Sequence, residues 1–121
     1  MFSSIPRADP LSLFDKGKPR GVEITEFLHL RTKDVARATQ LSTTSVRYDL
    51  RMPAQLETWL REIATTVTLV MEFFDSGEKT QLWFLTPNPQ LGGVAPIDMI
   101  KMGRERKLLS FVQTALAENK R

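Results

Sequence analysis

The sequence predicts an all-α fold: a small helical domain with an N-terminal helix-turn-helix and a C-terminal helical region. Three observations predict it. Leu56, Leu60, Ile63, Val67, Val70 and Phe74 recur at steps of four and three, the spacing of one helix face. Two short helical segments, 33–39 and about 43–50, are joined by about three residues, Gln40 to Ser42, which is helix-turn-helix spacing. Prolines and glycines gather between Pro87 and Gly103, where they end one helix and open another.

A chain of 121 residues, 41% hydrophobic, is expected to bury one modest core. It reads as an arm (1–20), a helix-turn-helix (21–52), a long connecting helix (53–76) and a helical region (77–121). There is no cysteine, which excludes disulfide and thiolate chemistry and fits a reducing cytoplasm. No apolar stretch follows a basic one at the N-terminus, so no signal peptide is expected. The longest uncharged run, 80–97, contains three prolines and is no membrane span. Charge is uneven along the chain. Residues 31–51 hold five Lys/Arg against two Asp, and 104–121 hold five against two Glu. Between them, 52–103 hold three against six acids. Such blocks are ordinarily solvated faces, and an anionic partner is the alternative.

In the arm, Leu11, Leu13 and Phe14 are candidate pinning points. Ile24, Phe27 and Leu28 give a short first helix carrying His29, the single histidine. Glu26 and His29 stand one helical turn apart, but a metal site of that kind needs a second ligand set, and none is visible. No metal is expected. Thr32 is placed to N-cap the next helix, and Ser42 or Thr43 the one after. Ala36 suits the helix crossing, Leu41 the turn and Val46 the corner. The turn carries Gln40, a non-glycine residue at a position suited to left-handed backbone, where a side chain costs about 1 kcal/mol.

If 42–50 is a recognition helix, Ser42, Thr43, Thr44, Arg47, Tyr48 and Arg51 face outward to bases and phosphates. Lys33 and Arg37 then suit the DNA backbone. A helical hairpin used only for packing is the other reading.

The long helix is expected over about 54–75. The β-branched run 63–70 competes as a strand, but the stripe outside it and the lack of a partner strand decide for helix. Trp59, Leu69, Met71 and Phe73 lie off the stripe, so this helix is central to the core or shares a dimer interface. Ser76 and Gly77 end it. A short helix over 78–85 follows, with Leu82 and Leu85 inward. Pro87 and Pro89 stop that helix, and Gly92 and Gly93 allow positive φ or close approach. Pro96 fits the first turn of a helix over 96–102, and Gly103 its end. A last helix spans about 104–118, before a basic end at Asn119, Lys120 and Arg121.

Trp83, Pro87, Asn88, Leu91, Gly92, Gly93, Pro96, Asp98, Ile100 and Gly103 form one uninterrupted pattern of type and spacing. This pattern resembles the signature of the Xre/MbcA/ParS toxin-binding domain, the C-terminal part of antitoxins paired with RES-domain toxins. The resemblance extends more weakly over 22–119. It also touches the helix-turn-helix, where Gln40 replaces the frequent glycine. It implies an antitoxin that binds and sterically inhibits a RES-type, NAD-degrading toxin and represses its own operon. The implied toxin-binding residues are Trp83, Pro87, Asn88, Leu91, Pro96, Asn119, Lys120 and Arg121. Trp83, Leu91 and Pro96 serve equally well as buried structure, and Gly92, Gly93 and Gly103 read as structural turn residues. The partners would be the toxin and operator DNA, with the chain a homodimer or part of a hetero-oligomer.

No Gly-rich phosphate loop, cysteine or paired histidines are present, so neither an enzyme nor a bound cofactor is expected. A stand-alone DNA-binding regulator and a DNA-free interaction module are the competing readings.

Overall fold

The computed structural model describes residues 9–119. Among them are six α-helices and one two-stranded hairpin. The helices are α1 (Gly21–Phe27), α2 (Thr32–Thr39), α3 (Ala54–Phe74), α4 (Gly77–Leu85), α5 (Pro96–Lys101) and α6 (Glu105–Asn119). Strands β1 (Phe14–Asp15) and β2 (Lys18–Pro19) pair antiparallel, Phe14 opposite Pro19.

Everything is arranged around α3, whose 21 residues span about 30 Å. It packs on α1, α2, α4, α6 and β2. Its stripe residues Leu56, Leu60, Ile63 and Val67 are fully buried. Each stabilises the fold by roughly 1.5–3 kcal/mol relative to exposure. Trp59 and Leu69, off the stripe, are buried as well, which makes α3 a central core helix. The β-branched run is helical. Thr66 and Thr68 donate their hydroxyls to the carbonyls of Glu62 and Ala64, both at 2.8 Å. Those bonds satisfy polar groups the core would otherwise strand.

Four helix ends use left-handed residues, Asp75 (φ 52°) after α3 among them, and three of these share one closure. After α1, His29 (φ 57°) lets Leu30 N–H reach the carbonyl of Thr25 at 2.8 Å. After α2, Gln40 (φ 59°) lets Leu41 N–H reach Ala36 at 3.0 Å. After α5, Gly103 (φ 77°) lets Arg104 N–H reach Met99 at 2.8 Å. This is the six-to-one closure that satisfies orphan carbonyls at a helix end. The expected N-cap Thr32 is instead the first helical residue of α2. Asp34 closes that end by accepting from the backbone N–H of Arg31 at 2.9 Å.

The second helix of the expected helix-turn-helix is not formed. Residues 42–51 hold only one 3₁₀ turn, Thr43–Ser45, and Val46 returns to extended backbone. Ser42, Thr43, Thr44 and Ser45 favour local side-chain hydrogen bonds over helix propagation, and Val46 is β-branched. The Ser42 hydroxyl lies 2.9 Å from that of Ser45 and 3.1 Å from that of Thr44. The Asp49 carboxylate takes the Arg51 N–H at 2.9 Å, and Pro53 soon bars further helix.

Two smaller expectations also change. Residues 11–20 form a hairpin docked on α3 rather than a loose arm. Asp9 caps it by accepting from Leu13 and Phe14 N–H, each at 2.9 Å. Arg61 of α3 donates to Gly17 O at 2.6 Å, and Leu13 is buried. On α4, Leu82 points outward, 64% exposed. The inward face instead carries Thr80 and Phe84, four residues apart.

Candidate functional site

The turn between α4 and α5 is a closed loop. The Asn88 side chain accepts from Gln90 N–H at 2.9 Å and caps a 3₁₀ turn, Pro89–Leu91. Its backbone N–H donates to Val94 O at 3.1 Å, and its carbonyl accepts from Gly93 N–H at 3.0 Å. Gly92 and Gly93 are consecutive left-handed residues (φ 76° and 83°). A Cβ at either would meet no atom within 4 Å. Glycine is required there by backbone conformation, not by space. Pro96 opens α5 as its first residue and is buried.

This loop forms one side of an apolar groove of about 350 Å³ between the ends of α3, α4 and α6. Val70 and Val112, both buried, lie at its base. Phe74, Trp83, Phe111 and Leu116 line it, and Asn88, Gln90 and Asn119 supply uncharged polar groups. Trp83 stands edge-on to buried Phe84, centroids 5.0 Å apart, and Phe73 edge-on to Phe74 at 5.1 Å. Phe73 is 52% exposed. A large apolar surface rimmed by uncharged polar groups is a feature of partner-binding sites.

Of the residues expected to bind a toxin, Trp83, Asn88 and Asn119 line this groove. Leu91 is half-buried beside it, Pro87 is exposed on the turn, and Pro96 is buried beneath it. Lys120 and Arg121 lie outside the described residues. Phe73, Phe74, Phe111 and Leu116 were not singled out as binding residues from the sequence. The available signal was Phe73, an aromatic side chain off the α3 stripe.

The residues expected to contact DNA do not share a helix. Lys33 and Arg37 are exposed on α2, and Ser42, Thr43 and Thr44 sit around the 3₁₀ turn. Arg47 forks onto the Asp49 carboxylate, and Arg51 is exposed beside it. The hydrogen bond from Arg47, with its charge, holds Asp49 below the usual carboxylate range. Tyr48 turns inward and lays its ring on Gly21. Burial there pushes its hydroxyl up.

Two carboxylates, buried Asp34 and half-buried Glu105, are perturbed in opposite senses. Burial alone would raise Asp34, but the backbone N–H and guanidinium of Arg31, with Lys101 nearby, lower it. Burial and the like charge of Glu62 raise Glu105, while Arg106 and the Trp59 indole act the other way. One Glu105 carboxylate oxygen and the Trp59 indole N–H are buried without a partner in hydrogen-bonding geometry. Among the described residues no cluster of three or more His, Cys, Asp or Glu could hold a metal ion. Among them, too, no helix is long and apolar enough to cross a membrane.

Comparison with family models, with curated proteins and with solved structures found no match to the chain.

Proposed function

We propose that the chain is an antitoxin that neutralises a RES-type, NAD-degrading toxin by covering its entrance, using the groove beside the 83–103 turn. The observation that carries this reading is the position of Trp83 and Asn88. These two residues of the toxin-binding resemblance open onto an apolar, uncharged cleft next to exposed Phe73. Aromatic side chains in such a cleft are the usual sources of partner affinity. The cytoplasm is the compartment where such a toxin acts on NAD.

Operon repression belongs to the same reading in a modified form. With only a 3₁₀ turn over Thr43–Ser45, base readout from a helix N-terminus has no support. Lys33, Arg37 and Arg51 remain suited to phosphate contacts. A stand-alone regulator has no observation of its own in its favour.

The test is co-expression with the adjacent open reading frame, tagging this chain only, with the complex weighed by light scattering and cellular NAD assayed. A stable complex that preserves NAD is expected, and Phe73→Ser should weaken it. A chain that purifies alone and leaves NAD unaffected would sink the proposal. A promoter titration at two salt concentrations, with Arg37→Ala as control, tests the DNA component.

A further inference from the structure

The positive charge of the chain is concentrated in one place. Residues 31–40, which hold α2, and 96–107, which hold α5 and the start of α6, carry seven Lys/Arg against three acids. The rest of the chain carries ten against eleven. The two stretches are distant in sequence and adjacent in the fold. α2 packs on α5. A Cβ at Gly103 would lie 3.2 Å from Ala38 O, so the corner between α5 and α6 rests on the end of α2. Arg37 and Arg104, both exposed, each stand one residue from that contact. Lys101 lies within electrostatic reach of Asp34 on α2. Lys33 stands one turn before Arg37 on the exposed side of the same helix.

The acids do not neutralise this face. Asp34 is buried and takes Arg31. Glu105 is half-buried beside Glu62, and Glu62 takes Arg106. Asp98 is the one exposed acid of the two stretches. Among the described residues Lys33, Arg37, Lys101 and Arg104 are in no ion pair. Neither stretch contains Phe, Tyr or Trp, so an unpaired base would find nothing to stack on. Nor does α2 present its N-terminus to a phosphate, because the Asp34 carboxylate closes that end on Arg31 N–H. What the face offers is a set of cations, which suits the phosphates along the outside of a duplex.

We infer that α2 and the α5–α6 corner form one phosphate-binding face, on which Lys33, Arg37, Lys101 and Arg104 hold the backbone of duplex DNA whatever its sequence. Lys101 and Arg104 are the added contacts. The inference rests on the DNA component of the reading above for Lys33 and Arg37 only, and it requires no toxin. It also alters that component, since contacts to phosphates alone hold the chain on DNA without selecting an operator.

The experiment is fluorescence anisotropy of the purified chain with two labelled duplexes, its own promoter and an unrelated sequence. Both should bind within about a factor of two of each other, and from roughly 0.05 M to 0.2 M salt the log–log slope of affinity should be about −3 to −4, as for four neutralised phosphates. The double variant Lys101→Gln/Arg104→Gln should make that slope shallower by about two on both duplexes. Lys79→Gln on α4, outside the face, should leave it unchanged. Circular dichroism checks that the variants keep their helix content. If the double variant does not, Arg104→Gln alone takes its place, with a change of about one. No binding at the lower salt overturns the inference, as does a slope that loss of Lys101 and Arg104 leaves unaltered. Tighter binding to duplex RNA, to single strands or to phosphatidylserine vesicles overturns it as well. A promoter held about tenfold tighter than the unrelated duplex would overturn it in favour of operator recognition. The toxin reading is judged separately, by the complex and the NAD assay, so either can fail without the other.

Discussion

The Tyr48 ring packs directly against Gly21: a Cβ at position 21 would stand 2.1 Å from Tyr48 Cδ1. The contact joins the start of α1 to the loop before α3, and it turns inward a side chain expected to face DNA. Gly21→Ala should expel the ring and release residues 46–52. A stability loss of about 1–3 kcal/mol is expected, as for other overpacking changes. Urea unfolding measures the loss, and hydrogen exchange should localise the loosening to the loop. An unchanged midpoint would show that the ring is not seated there.

Gln40 and Gly103 make opposite predictions at two similar helix ends. Gln40 holds φ at 59° with a side chain present, so Gln40→Gly should stabilise by up to about 1 kcal/mol. Gly103 holds φ at 77°, and a Cβ there would lie 3.2 Å from Ala38 O at the end of α2. Gly103→Ala should destabilise by about 1–3 kcal/mol, combining left-handed strain with crowding. Thermal melts of both variants decide the matter, and two shifts of the same sign would contradict it.

Glu105 predicts a pH dependence. Burial, with Glu62 beside it, raises the carboxyl in the folded state, so the fold binds this proton more tightly than the unfolded chain. The stability it confers is full below the unfolded value. That stability is lost as pH rises through the ordinary carboxylate range to the higher folded value. Glu105→Gln should therefore flatten the decline over that window and stabilise the protein at neutral pH. Urea unfolding across the range reads both effects, and parallel curves for the two proteins would refute them. Asp34 has the opposite sign: its contribution is held above the ordinary range and lost as pH falls through its lowered value.

Phe73 and Phe84 separate binding from folding. Phe84 is fully buried, and Phe84→Ala should cost about 3–5 kcal/mol of stability. Phe73 is half-exposed, so Phe73→Ser should change stability far less while weakening any complex made through the groove. Calorimetry of both variants against the co-expressed partner, beside their unfolding curves, checks the split.

Local chemistry determined much of this protein directly from its sequence. The 3.6-residue stripe over 54–74 dictates α3, because only a helix puts Leu56, Leu60, Ile63 and Val67 on one face. Pro87, Pro89, Pro96 and the glycine pair dictate a turn, because their backbone limits act whatever surrounds them. Gln40 marks the end of α2 through left-handed geometry, whereas the start read at Thr32 is closed by Asp34 instead.

Only the tertiary structure decided the rest, because those outcomes depend on residues far apart in the chain. Residues 42–51 have helix-turn-helix spacing, yet they stay unwound where Tyr48 finds Gly21 and Asp49 takes the turn amides. The segment before α1 is a docked hairpin because Arg61 reaches Gly17, 44 residues away. Leu82 faces water because Thr80 and Phe84 meet the core instead. The groove requires the ends of α3, α4 and α6 to converge, and no local period encodes that convergence. Phe73 is a mere irregularity in the sequence, and it becomes part of a surface only when Trp83 and Phe111 arrive beside it.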